Sequence, residues 1–311
     1  MKSVKGTLIE IGSLLPGVAQ EFDHQASKFL DVLKATIATH YSYIIHKGFS
    51  IKVGTTDIKP RELAILVASS KAKDRIEPFV YHATKDGVTV DLVIGLYRNI
   101  PNQQEIDDEL EGKASTGSRE TCGWTIICND RVVVYNDKSR LTGWGEATVP
   151  AYHPQFNAIA GIVRFQSADM AKLPVTTTKR GLEASSELYL AVKDVMREGL
   201  KHFTSFTNHW KSHGTERDAL LKAAKPTDPF KVKSLLRQDR WSDVRKGLGG
   251  KKYVPPLPKP AAGGTTDIVI RFTRPAADVS TVADLLFGDP DTPPAQVGEE
   301  CFDRALSRAK R

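Results

Sequence analysis

A proline-rich segment near the C-terminus constrains the fold of this 311-residue chain more than any other feature. Because proline has a fixed φ and no amide hydrogen, such a run favours an extended polyproline conformation. We therefore predict a semi-rigid linker that separates a large N-terminal part from a small module over residues 265–311. The residues concerned are Pro255, Pro256, Pro258 and Pro260, bracketed by Gly249-Gly250 and Gly263-Gly264.

The composition indicates a folded protein without a membrane span. Hydrophobic residues make up 40% of the chain, which is enough to bury cores and excludes wholesale disorder. The longest apolar stretches, such as residues 88–96 and 123–128, fall well short of the roughly 20 residues that a membrane helix needs. The three cysteines lack metal-ligand spacing and are an odd number for a disulfide framework. We therefore predict a soluble, cytoplasmic protein that contacts no membrane.

The first 48 residues have the pattern of one strand and one long helix. Residues 5–11 alternate like a strand, which residues 14–17 close as a turn. Apolar residues then recur at helical spacing over residues 26–44, and Lys47-Gly48 ends the helix. We interpret residues 1–48 as a region distinct from the domain that follows.

Residues 49–211 alternate between strand patterns and one clear helix. Residues 88–96 and 159–165 are typical of strands, and two apolar runs flank Asn129-Asp130 as a hairpin. A helix capped by Ser185 or Ser186 ends the region. The polar residues 99–118 between these elements have the pattern of a long loop.

The predicted fold class is therefore α+β. It comprises a mixed-sheet domain with flanking helices, then a basic helical arm with the linker over residues 212–264, and finally a small αβ tail. In the tail we predict a strand over 267–272 and two helices, the first capped by Asp278 and ended by Gly288. Because about 45 residues are marginal for independent folding, the tail is expected to dock on the main body or on an unknown protein client.

The net charge of +7 is concentrated in the arm. Between Lys211 and Lys252 the chain has twelve cations and five anions, so the rest of the chain is neutral overall. A localised basic arm is a candidate for contact with DNA or RNA, although such a run is more often a solvated helix face. The candidate nucleic-acid contacts are Lys231, Lys233, Arg237, Arg240, Arg245 and Lys246.

The best candidate for chemistry is a loop over residues 173–182. It places Thr176, Thr177, Thr178, Lys179 and Arg180 before a glycine, between a predicted strand and a capped helix. Hydroxyl donors and a mobile ammonium suit an anionic phosphate. The alternative is an ordinary solvated loop, with Ser185 as the cap of the next helix.

Other candidates are weaker. Gly6-Thr7 could place a backbone amide and a hydroxyl near a nucleotide. His153 could serve as a general base, but no nucleophile with an orienting acid accompanies it. His209 and His213 stand four residues apart without a third metal ligand in view, so no metal site is predicted. The sequence also lacks the P-loop, the Rossmann glycine motif, HExxH and GxSxG.

Three of these motifs, taken in order, resemble a known family over residues 5–211. Residues 6–11 resemble the Gly-Thr box of a nucleotide-binding fold, and residues 123–133 are similar to the hairpin of the adjoining transducer domain. Thr177-Thr178-Lys179 resembles the loop whose lysine reaches the nucleotide. The chain thus resembles the transducer half of a GHKL-type ATPase, the superfamily of heat-shock-90 chaperones, DNA gyrase B, MutL and the MORC proteins. The similarity is closest to bacterial and MORC-like members.

The resemblance implies that residues 1–48 are the remnant of a nucleotide-binding domain, with its Gly-Thr strand and connecting helix, and that residues 49–211 are the transducer domain. It also implies a role for each matched residue. Lys179 would contact the γ-phosphate of ATP as the catalytic cation, with Arg180 as the alternative for that contact. Gly6, Thr7, Thr177 and Thr178 would contribute to nucleotide binding. ATP with magnesium would be bound in the complete protein, with no cofactor expected for this chain alone, and phosphate sensing would drive closure of a dimer.

One departure from the family pattern is large. The helix with Glu-x-x-x-Asn and the Asp-x-Gly-x-Gly loop precede the Gly-Thr box in this family, but only five residues precede Gly6 here. We therefore expect a truncated protein whose Met1 is not the native start, with no hydrolysis by the chain alone. Its expected partner is the missing ATPase half or a second copy. The alternative is a non-enzymatic module that binds nucleic acid or a protein client.

Overall fold

The structure is a computed structural model that describes residues 9–24, 26–68, 75–113, 121–178, 181–211, 213–222, 224–260 and 272–310. The chain forms two compact units, Met1–Gly264 and Thr265–Arg311. Among the helices in these described ranges, none combines the length and apolar character needed to cross a membrane.

The first unit contains seven described helices and eleven short or medium strands. The helices are α1 (Pro16–His24), α2 (Ala26–His40), α3 (Ser42–His46), α4 (Gln103–Leu110), α5 (Glu187–Trp210), α6 (Gly214–Leu220) and α7 (Val232–Leu235). The strands are β1 (Lys52–Val53), β2 (Thr56–Asp57), β3 (Ile65–Ala68), β4 (Phe79–Lys85), β5 (Val88–Leu96), β6 (Gly123–Cys128), β7 (Arg131–Asp137), β8 (Ile159–Gln166), β9 (Ala224–Thr227), β10 (Trp241–Asp243) and β11 (Lys251–Tyr253). The second unit contains α8 (Ala276–Phe287) and α9 (Pro294–Ala309).

Seven strands form the main sheet, in the order β10-β11-β4-β5-β8-β6-β7. All neighbours are antiparallel except β6 and β8, which are parallel, so the sheet is mixed. β8 lies between β5 and β6 and brings Gly161 under the ring of Trp124. A Cβ atom at Gly161 would lie 2.4 Å from that ring, so only glycine allows this contact.

One face of the sheet, which we call the helix face, packs against α5. The buried residues of α5 include Val192, Met196, Leu200 and Phe203, and they join strand residues such as Leu92 in one cluster. Their spacing follows the helical period, as expected for an amphipathic helix on a sheet. This cluster is the main core of the unit.

The opposite face, which we call the polar face, is covered by α3 and α7. Its buried apolar cluster contains Tyr43 from α3 and Val232 from α7, packed on strand residues Val80, Val93 and Ile162. Charged side chains also lie on this face, because Asp91 and Arg164 occupy positions directly opposite each other in β5 and β8. The two faces therefore differ in chemistry.

The α+β mixed sheet is confirmed, as are its best-patterned elements. The hairpin around Asn129-Asp130 joins β6 and β7, the predicted strands correspond to β5 and β8, and Ser186 caps α5 by accepting from the amide of Tyr189. The predicted loop over 99–118 is wrong in part, because α4 lies within it. Asn102 and Glu105 form a capping box there, a local signal that the polar composition obscured.

The N-terminal expectations need correction where the structure describes them. Residues 9–11 belong to no strand, and Ile9 and Ile11 are largely exposed. Pro16 begins α1 instead of a turn, since a proline is tolerated in the first turn of a helix. The predicted helix over 26–44 is divided at Tyr41 into α2 and α3.

The basic segment is not the helical arm that its composition indicated. Among the described residues of 211–252, only α6 and α7 are α-helical, and β10 and β11 extend the main sheet beside β4. Trp241 and Tyr253 pack together across these two strands, so apolar burial outweighs local helix preference. In the C-terminal unit both predicted helices are present and Gly288 ends the first, but the predicted cap is wrong, because Asp278 lies inside α8, which begins at Ala276 after Pro275. The predicted strand over 267–272 falls on residues that, apart from Phe272, lie outside the described ones.

Candidate functional site

The loop before α5 has a closed, ordered base. Leu173 and Pro174 are buried, and Val175 and Leu182 form an isolated antiparallel bridge. Within that bridge the amide of Thr176 donates to the carbonyl oxygen of Gly181 over 3.0 Å. Thr176 and Gly181, at the two described ends of the loop, are therefore paired on a two-stranded base.

The hydroxyl of Thr176 links the two described ends of this loop. It accepts from the amide of Gly181 over 3.2 Å and lies 3.2 Å from the hydroxyl of Thr178. Thr177 and Thr178 are exposed, while Thr176 is half-buried. Thr176 is thus a positioning residue, and the two following threonines are available to a ligand.

The structure does not describe the residues predicted to contact phosphate most directly. Lys179 and Arg180 follow Thr178 in the sequence and lie outside the described residues, as do Gly6 and Thr7. The choice between Lys179 and Arg180 therefore stays a prediction. So does any approach of Gly6-Thr7 to the loop.

The loop is joined directly to the first turns of α5. The amide of Glu183 donates to the carbonyl oxygen of Pro174 over 2.9 Å, three residues before the cap at Ser186. The phenol of Tyr189 then donates to the carbonyl oxygen of Leu141 over 2.6 Å. Burial raises the pKa of Tyr189, so the hydroxyl keeps its proton for this bond. The loop and the helix start are consequently held as one piece.

A cluster of charges fixes the next turns of α5. Glu146 accepts from Lys193 over 2.8 Å and from Arg197 over 3.2 Å. The hydrogen bond from Lys193, assisted by Arg197, lowers the pKa of Glu146 below its ordinary value. The segment around Glu146 is therefore tied to α5 by both charge and Tyr189.

The predicted nucleic-acid contacts are exposed, although they do not lie on one helix. Lys231 and Lys233 belong to the start of α7, and Arg245 and Lys246 lie in the turn between β10 and β11. Among the described residues, Lys233, Arg240, Arg245 and Lys246 form no ion pair with a carboxylate.

Arg237 differs from the other five cations, because it interacts with the buried phenol of Tyr253. Burial raises the pKa of Tyr253 to about 12, and Arg237 opposes that rise. The same phenol donates to the buried carboxylate of Glu77. Arg237 is therefore part of a structural cluster.

The histidine candidates have local structural roles. The Nδ1 atom of His153 accepts from the amide of Gln155 over 3.2 Å and so caps the turn Pro154–Phe156. The Nδ1 atom of His209 bonds the carbonyl oxygen of Ser205 in its own helix, and His213 lies near Glu216. The described residues contain no group of three side chains that could hold a metal ion.

Sequence reasoning missed a charge network on the polar face. Asp91 accepts from Arg164 over 2.8 Å and from His82 over 2.7 Å, and Arg164 also donates to the hydroxyl of Tyr43. Burial disfavours the charged form of Asp91, but the bonds from Arg164 and His82 outweigh it and lower its pKa. The polar residues were visible in the strand pattern, whereas their partners depend on strand register.

A small cavity adjoins this network. It is lined by Asp91, Arg164, Phe230 and Lys233 together with apolar strand residues, and its volume is about 30 Å³. The guanidinium of Arg164 lies 4.4 Å from the centre of the Phe230 ring. This space suits about one water molecule, so the cavity is too small for a nucleotide.

No family model matches the chain, and no curated protein matches it.

Proposed function

We propose that this chain is the transducer part of a GHKL-type ATP-binding protein. In this proposal the loop over 176–181 contacts the γ-phosphate of ATP, and α5 transmits phosphate occupancy to the rest of the chain. The observation that carries it is the hydrogen-bonded base of this loop, which bears the exposed Thr177 and Thr178 and is joined through Glu183 to the segment that begins α5.

The chemistry of the loop fits an anionic ligand. Thr177 and Thr178 supply exposed hydroxyl donors, and Lys179 adds an ammonium next to them in the sequence. Lys179 would stabilise the charge that develops on the transferring phosphoryl group, which is the usual role of a cation in phosphoryl transfer. The magnesium ion and the attacking water would be handled by a nucleotide-binding half.

Two further observations support domain coupling. α5 has 24 residues and spans about 36 Å, so a shift at its first turn is carried along the whole helix face. Large apolar residues at the N-terminus are exposed, including Leu15, Val18 and Phe22. An exposed apolar patch of this kind is typical of a surface that contacts another domain.

Lys179→Ala provides the direct test, in a protein that combines this chain with its nucleotide-binding half. We expect turnover to fall by about 10²- to 10³-fold, the usual effect of removing one charge-stabilising donor, with ATP affinity within about threefold. Lys172→Ala is the matched control, because Lys172 is an exposed lysine that donates to the carbonyl oxygen of Asp86, away from the loop over 173–182. Unchanged turnover in Lys179→Ala, with a loss in Arg180→Ala, would transfer the role to Arg180; unchanged turnover in both would contradict the proposal.

A second candidate function is binding of a nucleic-acid backbone. It is favoured by the exposed cations around α7 and the β10–β11 turn that lack carboxylate partners among the described residues. Replacing Lys233, Arg245 and Lys246 by alanine should reduce the dependence of log Kd on log salt by about three, close to one for each lost phosphate contact. Arg237→Ala is not a suitable probe, because its interaction with Tyr253 is structural. Fluorescence anisotropy that shows no DNA binding, or binding insensitive to salt, would remove this candidate.

A further inference from the structure

The proline-rich segment is seated along the second half of α5. The Nε2 atom of His202 lies 2.9 Å from the carbonyl oxygen of Pro255, and Nε1 of Trp210 donates to the carbonyl oxygen of Pro258 over 3.0 Å. One turn before His202, Glu198 accepts from Lys252 over 2.6 Å. Lys252 and two positions of the segment that follows it thus contact three positions of α5 in the same order along both elements.

The two elements run in the same direction with matching lengths. From residue 198 to residue 210 the helix rises about 18 Å. From residue 252 to residue 258 a polyproline helix extends about 19 Å. The first and last contacts are therefore spaced alike on the two elements, and the segment follows the helix over about 18 Å.

The chemistry of the contact is that of proline-rich peptide recognition. Prolines offer carbonyl acceptors but no amide donors, and such segments bind surfaces that supply aromatic rings and side-chain donors. Trp210 and His202 supply both, and Leu257 packs against the core beside them. Because a carbonyl oxygen only accepts, the hydrogen of His202 must be on Nε2. Burial lowers the pKa of His202, which favours the neutral ring in this contact.

We infer that the second half of α5 is a binding site for an extended proline-rich segment, that residues 254–258, directly after β11, occupy it in cis as a strap, and that the strap detaches without unfolding of the domain. Detachment breaks two neutral hydrogen bonds and uncovers Pro255 and Leu257, whereas Lys252 keeps its ion pair with Glu198 in β11 and the sheet stays packed. Release frees residues 254–258, which span about 17 Å when extended.

The first test measures the reactivity of a thiol in the strap. Leu257→Cys is introduced in a Cys301→Ser chain, where the remaining Cys122 and Cys128 are buried and report global unfolding. Trp210→Phe and His202→Phe each remove one donor and should raise the maleimide labelling rate at position 257 about fivefold, and together about 25-fold. His209→Phe is the matched control on the same helix and should change the rate less than twofold, since His209 bonds its own helix.

Two labelling results would contradict detachment of the strap from a folded domain. Either position 257 labels at the same rate in all variants, or it labels only together with Cys122 and Cys128. The labelling assay contains no nucleotide, so a negative result would leave the proposed function untouched. A negative result for Lys179→Ala would in turn leave the strap untouched.

A second test needs no change in the strap. The indole N–H of Trp210 is hydrogen bonded to it, whereas those of Trp124, Trp144 and Trp241 are buried without a partner among the described residues. We expect the Trp210 indole proton to exchange with solvent at least tenfold faster than those of Trp124 and Trp144, measured by NMR with Trp210→Phe for assignment. Equal exchange rates for these three protons would mean that the strap opens only on global unfolding.

Discussion

The two faces of the main sheet are stabilised by different physics. The helix face is a continuous apolar cluster in which α5 approaches the strands closely, and Gly199 lies against Ile94. The polar face mixes an apolar cluster with the Asp91–Arg164 pair and a small cavity. The stability of the same sheet therefore depends on side-chain volume at one face and on charge at the other.

Phe203→Ala should produce the largest loss of stability. Phe203 is fully buried on the helix face, so its truncation leaves a cavity and should cost about 3–5 kcal/mol in the free energy of unfolding by urea. Leu190→Ala on the same helix is the control, since Leu190 is 48% exposed, and should change stability by less than about 0.5 kcal/mol. Similar losses in both would mean that α5 is not the core of the unit.

Arg164→Met should destabilise the protein by removing one charge of the ion pair on the polar face. The substitution keeps an apolar stem of similar length but leaves Asp91 without its guanidinium partner, and should cost about 2–3 kcal/mol. Asp91→Asn in the same chain should recover part of that loss, measured as a double-mutant cycle in urea. Strict additivity of the two changes would show that the pair contributes nothing as a pair.

Gly199→Ala tests the close approach of α5 to the sheet. Alanine is the better helix former by about 1 kcal/mol, but its Cβ would lie 2.5 Å from the side chain of Ile94. We expect overpacking to prevail, with a net loss of about 1–3 kcal/mol. Gly298 in α9 has open space around it, so Gly298→Ala should instead retain more helix than the wild type as the temperature is raised. A gain of stability in Gly199→Ala would contradict the close packing of α5 on the sheet.

The smallest effect concerns pH. The pKa of Asp91 is lowered in the folded state, so its contribution is fully present above the ordinary carboxyl pKa of about 4 and is lost as the pH falls below that value. Asp91→Asn should therefore flatten the dependence of unfolding free energy on pH between about 5 and 2. The helix-face variant Phe203→Ala should keep the wild-type slope, and an unchanged slope in Asp91→Asn would assign the dependence to other carboxylates.

The sequence predicted the elements whose signals are local. The β6–β7 hairpin was predicted from the Asn129-Asp130 turn between apolar runs. The helix α5 was predicted from its apolar period and from the cap at Ser185 or Ser186. The capping box of α4 was also local, but the polar composition around it outweighed the motif. β10 and β11 have three residues each, which is too short for alternation to distinguish a strand from a basic loop.

The long-range features could not be predicted in the same way. Asp91 and Arg164 are 73 residues apart and meet only because of the register between β5 and β8. Composition predicted a proline-rich linker here, but the donors on α5 that hold the strap follow from packing. In the candidate loop, the residue types were visible in the sequence, whereas the positioning role of Thr176 required the bond to Gly181.

The place of β8 in the sheet has a consequence for how the chain folds. β4–β5 and β6–β7 are hairpins that can form locally, but in the sheet they are joined only through β8, which comes after both in the chain. Until residue 166 has left the ribosome, each hairpin therefore has an unpaired edge, and the slow step is insertion of one strand between two preformed pairs. During that interval a second nascent chain can compete for the same edges, so the yield of folded protein should depend on the rate of synthesis.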